Sequence, residues 1–376
     1  MSKGIYIGID NKARKVKKLY VGVDNVARKI KKAYIGIGGV ARPCFVGSDL
    51  DYYGTTVQPL REARWDLAAT TIANHALFGG GNRSGGIWVG NVDAYDASLT
   101  QKDLTPMYSD VYGCEATTVG NYALFCGGSA NKSYAYDASL TQKDTVQSLR
   151  EARRYLAATT VGNHALFGGG GKPSSCVDAY DASLTRKDTV QSLREARGYF
   201  AATTIANHAL FGGGSLDLSD DYRDTVDAYD ASLTRKDTVQ SLRVARGDLA
   251  ATTVGNHALF GGGRTPDISG YGSSPSSYVD AYDTSLTRKN VTSLWESGSD
   301  LAATTVGNYA LFGGSGMMIT CAYDASLTQK VLSKRIRRRN LAATTVGNYA
   351  LFGGGISATS PHDASNLVDV FEFNKE

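Results

Sequence analysis

The chain has 376 residues, 42% hydrophobic and 20% charged, with 43 glycines, 22 tyrosines and 7 prolines. This composition suits short strands joined by tight turns. It offers no apolar run near the roughly 18 residues of a membrane span and no apolar leader in MSKGIYIGID. The net charge of +4 is uneven: residues 1–47 hold eleven Lys/Arg against two Asp, and the rest is mildly acidic, the pattern of a basic docking segment on a separate domain.

Residues 5–45 repeat with a period of 14: IYIGIDNKARKVKK, LYVGVDNVARKIKK, AYIGIGGVARPCF. Alternating YIGI, a DN or GG turn, and alternating ARKVKK predict three β-hairpins. About forty residues bury too little to stand alone, so residues 1–47 are expected to pack on another chain, on copies of themselves as a homo-oligomer, or on the remainder. The pattern resembles N-terminal segments of structural proteins in bacteriophages and prophages of low-GC Gram-positive bacteria. That resemblance implies a virion attachment module contacting other virion proteins, with Tyr6, Arg14, Lys15, Tyr20, Arg28, Lys29, Tyr34 and Arg42 as the attachment residues.

Residues 48–376 hold a longer repeat. Residues 156–170 and 249–263 are both LAATTVGNHALFGGG, and near-copies give seven landmarks: Leu67, Cys114, Leu156, Phe200, Leu249, Leu301 and Leu341. Each copy has four strand-like pieces: LAATTV, HALF or YALF ending in glycines, VDAYD, and DTVQSL. Four antiparallel strands at a period near 45 predict one propeller blade. AATT is small enough for the axis, glycines after Phe allow close approach, and a recurrent Tyr in VDAYD is expected between blades with its hydroxyl on a polar partner. Counting predicts a seven-bladed, all-β propeller. TTVQPL (55–60) is expected to pair with VDVFEF (368–373), so that an N-terminal strand closes the last blade and leaves no open edge. The motif R-x-x-LAATTVGNHALFGG followed by VDAYD resembles the kelch repeat and implies that fold, with the family's fourth-strand Trp mostly absent.

The second-to-third connections differ most between copies and share a face with the fourth-to-first connections, so that rim is the expected binding surface. Arg64, Arg153, Arg197, Arg246 and Arg338 precede inner strands on this face, with Val111 and Gly298 in the other two copies. Such a ring can hold carboxylate or phosphate, or instead bond loop carbonyls and Glu62, Glu151 or Glu195. Trp88, Tyr222, Tyr271 and Tyr278 stand in the long loops and suit stacking on sugar rings.

Little points to catalysis, a metal or a cofactor. His75, His164, His208 and His257 occupy one repeat position that is Tyr122, Tyr309 and Tyr349 elsewhere, as packing positions allow; His362 lies apart. Cys44, Cys114, Cys126, Cys176 and Cys321 lack paired spacing and read as reduced thiols in a cytoplasm. The run Lys334–Arg339 is weak evidence for nucleic acid. The resulting expectation is a non-enzymatic virion protein, assembled in the host cytoplasm and placed at the tail or baseplate. Its propeller rim would recognise a host-surface glycan or protein. The rivals are a capsid decoration or head fibre protein, and a cell-wall glycan hydrolase using Asp217, Asp220, Asp221 or Asp267.

Overall fold

The computed structural model describes residues 6–374, apart from residues 10–11, 16–18, 24–25, 31, 38–39, 47–48, 55–56, 109–110, 144–145, 172, 217–219, 268–271, 316–318 and 359–362, and between residues 6 and 46 it describes strand backbone. By its contacts the chain divides into two compact units, Met1–Asp51 with Glu372–Glu376, and Tyr52–Phe371.

In the first unit, Tyr6–Ile9 pairs with Lys12–Lys15, Leu19–Val23 with Val26–Ile30, and Lys32–Ile37 with Val40–Val46. The first two hairpins share a register 14 residues apart, Tyr6 opposite Lys15 and Tyr20 opposite Lys29. The third shifts register between Ala33 and Tyr34, which faces Pro43. Proline has no N–H to give a ladder, so an irregularity is expected there.

The second unit is built on seven four-stranded sheets. Their inner strands are Ala68–Ile72, Glu115–Val119, Ala157–Val161, Ala201–Ile205, Ala250–Val254, Leu301–Val306 and Ala342–Val346, and each touches the next, the last meeting the first. This is a closed seven-bladed propeller, and no helix occurs among the described residues. The two threonines of AATT join neighbouring blades: Thr70 meets Thr118 at 3.0 Å, Thr117 meets Thr160 at 2.8 Å and Thr203 meets Thr253 at 2.8 Å, hydroxyl to hydroxyl. Glycine after Phe leaves room for the next blade's ring; a methyl on Gly212 would meet Phe260 at 2.8 Å. The recurrent tyrosines are fully buried. Tyr95, Tyr136, Tyr282 and Tyr323 donate their hydroxyls to the carbonyls of Gln58, Thr105, Gln240 and Thr292 in the segments between blades.

Two expectations are corrected. The fourth strand is not DTVQSL but the short piece before it: Gln101–Asp103, Gln142–Lys143, Arg186–Lys187, Arg235–Lys236, Arg288–Asn290 and Gln329–Arg335. The reason is the tightness of the DASLT turn. Asp96 Oδ1 accepts from the Ser98 N–H (2.9 Å), the Ser98 hydroxyl (2.6 Å) and the Thr100 N–H (3.0 Å), so the chain reverses at once. DTVQSL then dips its apolar pair between blades, as Val190 and Leu193 do against Phe200 and Phe211. Likewise the closing strand of blade 7 is Leu50–Gly54, beside Val368–Phe373. TTVQPL instead buries Val57 and Leu60 between blades 7 and 1.

These turns also set the acid sensitivity. The Lys143 ion pair (2.6 Å), with the Ser139 and Thr141 donors behind it, holds Asp137 well below the usual carboxylate range. At Asp181, Asp230 and Asp283 burial pulls upward, and the same lysine and hydroxyl donors outweigh it. A depressed folded pKa gives stability that is present above the unfolded value, about pH 4, and lost as pH falls below it. Thermal melting should therefore fall off below about pH 4, and less steeply in the Asp181→Asn/Asp230→Asn double variant. An unchanged acid limb in that variant would remove these turns from the account.

Candidate functional site

The five arginines preceding inner strands do not face solvent. Arg64, Arg197 and Arg246 are 0% exposed, Arg153 2% and Arg338 4%. Each pairs with the buried Asp of the third strand in its own blade: Arg64 with Asp93 at 2.6 Å, Arg197 with Asp227 at 2.7 Å, Arg338 with Asp369 at 2.6 Å, and likewise Arg153 with Asp178 and Arg246 with Asp280. Further donors go to carbonyls, such as Arg64 to Phe78 at 3.1 Å and Arg246 to Tyr278 at 2.7 Å. The ring is an internal clamp, and the expectation that it binds ligand is corrected: desolvated guanidinium groups persist only when their donors are satisfied.

The acidic partners also differ from expectation. Glu62 and Glu195 give Arg64 and Arg197 only backbone carbonyls, at 3.3 and 3.4 Å, and Glu151 stays 3.9 Å from Arg153. These glutamates tie down rim loops instead: Glu62 receives Arg83 and Asn91 at 2.7 Å, and Glu195 receives Arg223 at 3.0 Å. One sequence signal was available. In the two copies without Arg, the Asp is missing too: Val111 goes with Tyr134, and Gly298 with Cys321.

The long connections do stand on the face that carries the fourth-to-first connections. Two form small hairpins, Asn82–Arg83 with Ile87–Trp88 and Arg264–Pro266 with Ser273–Pro275. Trp88 and Tyr278 are exposed, at 39% and 38%, and Tyr278 carries the Arg243 guanidinium 5.4 Å from its ring centre. Tyr222 is half-buried and reaches Asp220 with its hydroxyl at 3.1 Å. Tyr271 and Asp217 lie outside the described residues. Asp221 is paired with Arg223, and Asp267 receives the Ser274 hydroxyl. Three members of the basic run are paired within the chain: Lys334 meets Asp369 at 3.2 Å, Arg335 meets Glu296 at 2.7 Å, and Arg338 is clamped.

The feature that sequence reasoning missed lies at the axis. One or two residues before each inner strand the backbone is left-handed: Asp66, Gly113, Tyr155, Tyr199, Asp248, Asp300 and Asn340 all have φ between 52° and 61°. Their peptides form a closed ring of seven hydrogen bonds: each N–H donates to the carbonyl of the preceding blade's residue, and Asp66 donates to Asn340. The side chains edge a mouth that leads to a central cavity of about 180 Å³, walled mostly by the alanines of LAATT.

This mouth has two sides. Tyr155 and Tyr199 stack at 4.7 Å and 22°. Tyr155 continues outward edge-on to Tyr112 at 6.4 Å, and Tyr112 stacks on Trp88 at 4.8 Å. An aromatic run thus leads from a rim loop to the axis. Opposite stand Asp248, Asp300, Asn340 and Asp66, with the Asn340 amide donating to Asp66 at 2.9 Å. Burial first, and then the neighbouring Asp300, pushes Asp66 up to about 6 and Asp248 up to about 7. Below Gly113 sits Glu115, pushed up to about 8 by burial, with Asp66 adding to it. Among the described residues no three His, Cys, Asp or Glu side chains converge as metal ligands. Cys114, Cys126, Cys176 and Cys321 are free thiols.

No family model and no curated protein matches the chain. Among solved structures, that of YjhT matches with a TM-score of 0.55 and 9% identity, covering 84% of this chain and 99% of that one. At this identity the likeness is one of fold, and a propeller fold serves unrelated tasks.

Proposed function

We propose that this chain is a structural protein of a bacteriophage particle, anchored through residues 1–47, whose kelch-like propeller recognises a glycan of the host surface. The observation that carries the binding role is the aromatic run Trp88–Tyr112–Tyr155–Tyr199 ending at a carboxylate-edged mouth, on the face where the connecting loops vary most. Aromatic faces receive the C–H side of a sugar, and carboxylates and the Asn340 amide receive its hydroxyls. Weak single contacts gain strength when many copies sit on one particle. The 14-residue repeat of the basic segment supports the anchoring role, with the tail or baseplate ahead of the capsid.

Retention of the full chain on host cell walls tests this. Trp88→Ala/Tyr155→Ala should lower retention about ten-fold, roughly the loss of 1.4 kcal/mol, with little change in melting temperature. Retention equal to the parent removes the aromatic run from the binding surface. Glycan hydrolysis is a second reading, favoured by Asp248 and Asp300 standing side by side in the ring with the Asp248 carboxyl raised. Release of soluble sugar from the walls would establish it in place of simple binding. Antibody against the propeller should label the tail tip of particles; label over the capsid would favour the decoration role.

A further inference from the structure

Six of the seven inner strands present alanine where the second presents Glu115: Ala68, Ala157, Ala201, Ala250, Ala302 and Ala342. Glu115 lines the central cavity and both recesses of the mouth above it. Its hydrogen-bond donor is the backbone N–H of Ala116, and no basic side chain among the described residues pairs with it. Gly113 contributes no side chain to the recess that Glu115 lines and packs against the Tyr155 ring.

The other charged groups around the mouth are few. Arg264 faces Asp248, and Ser299 donates to Asp300 at 2.9 Å. Arg154 lies over Tyr112 at 4.8 Å and faces Tyr155 and Tyr199. Asp66 has the Asn340 amide. Four carboxyl groups therefore share one mouth with a single flanking guanidinium on their side. A neutral sugar would leave that excess unanswered, whereas an ammonium with three donors answers it.

Resting on the glycan-binding reading, we infer that the axial mouth takes a saccharide bearing a protonated amine, its ring on the Tyr155–Tyr199 pair and its ammonium among Asp248, Asp300 and Glu115. The pH dependence follows. Asp66 and Asp248 are raised to about 6 and about 7, so lowering the pH from 7 to 5 protonates them while the amine stays charged; Glu115, raised to about 8, is already largely protonated at pH 7 and meets the ammonium as a neutral acceptor. Affinity lost over that range is lost by the protein.

The test is calorimetric titration of the full chain with a glucosamine tetramer and with its N-acetylated counterpart. The amine form should bind at least about ten-fold tighter at pH 7 and approach parity at pH 5. Asp248→Asn, isosteric, should weaken the amine form about five-fold or more at pH 7, and by a larger factor than it weakens the acetylated form. Equal affinities at pH 7, or binding that strengthens on acidification, overturns the inference. If neither oligomer binds while wall retention still depends on Tyr155, the amine inference falls and the glycan reading stands. If the amine form binds and wall retention is absent, the reverse holds.

Discussion

Asp227→Ala is expected to destabilise the propeller by about 3–5 kcal/mol, because it strands the fully buried Arg197 without its counter-charge. Asp227 stands between two guanidinium groups, Arg197 at 2.7 Å and Arg194 at 2.9 Å. Arg194 is partly exposed, but Arg197 cannot reach water in its place without pulling apart the packing around the Phe211 carbonyl, which it also holds at 3.2 Å. The chain itself supplies the rescue. In blade 2 the same two positions are Val111 and Tyr134, both buried. The double variant Arg197→Val/Asp227→Tyr should therefore recover most of the loss, since removing both charges leaves no unpaired ion. Denaturant midpoints of the parent, both single variants and the double variant form the cycle. Additive losses would mean that the clamp is not a unit.

Glu115→Ala should act in the opposite direction. A carboxyl whose folded pKa is raised binds a proton that the unfolded chain releases. Stability is then lost as pH rises, through the window from the unfolded value of about 4.3 to the folded value of about 8. Replacing Glu115 with the alanine of the other blades should stabilise the fold by about 1–3 kcal/mol at pH 7, after allowance for water in the channel. The gain should grow toward pH 8 and vanish near pH 4. The same variant should lose the amine-bearing ligand. A residue that weakens the fold and serves the site is the trade expected of function. Destabilisation by Glu115→Ala, or a gain independent of pH, would contradict the raised pKa.

The fold was legible because identical packing demands identical residues. AATT, FGG and VDAYD recur wherever one blade meets the next, and the count of seven follows from them. The strand boundary was misread for a local reason. TVQSL has strand-like composition, but Val190 and Leu193 are three apart, so both enter the same crevice instead of alternating faces. The arginines were misread because a charge before a strand looks exposed until its partner is seen, and that partner lies 25 to 34 residues on. The axial site was hidden by the opposite circumstance. Its residues are dispersed, one per blade, in the second of the two columns between Arg and Leu, and the copies disagree in both: Asp66, Tyr155, Tyr199, Asp248, Asp300 and Asn340. Disagreement in this pair of columns, between an Arg and an apolar residue that mostly recur, was the available signal.

The closed circuit of peptides at the axis has an electrical consequence. Peptide dipoles aligned along a helix add up, and they leave partial charges at its two ends. Around the axis they run head to tail through seven members and return to the first. Their in-plane moments cancel, and there is no terminus at which charge can accumulate. The backbone thus contributes almost no field to the mouth, and the potential felt by an approaching ligand is written by the side chains alone. Seven positions with the same backbone conformation act as interchangeable sockets: exchanging one residue retunes the sign or strength of that potential without disturbing the circuit beneath it.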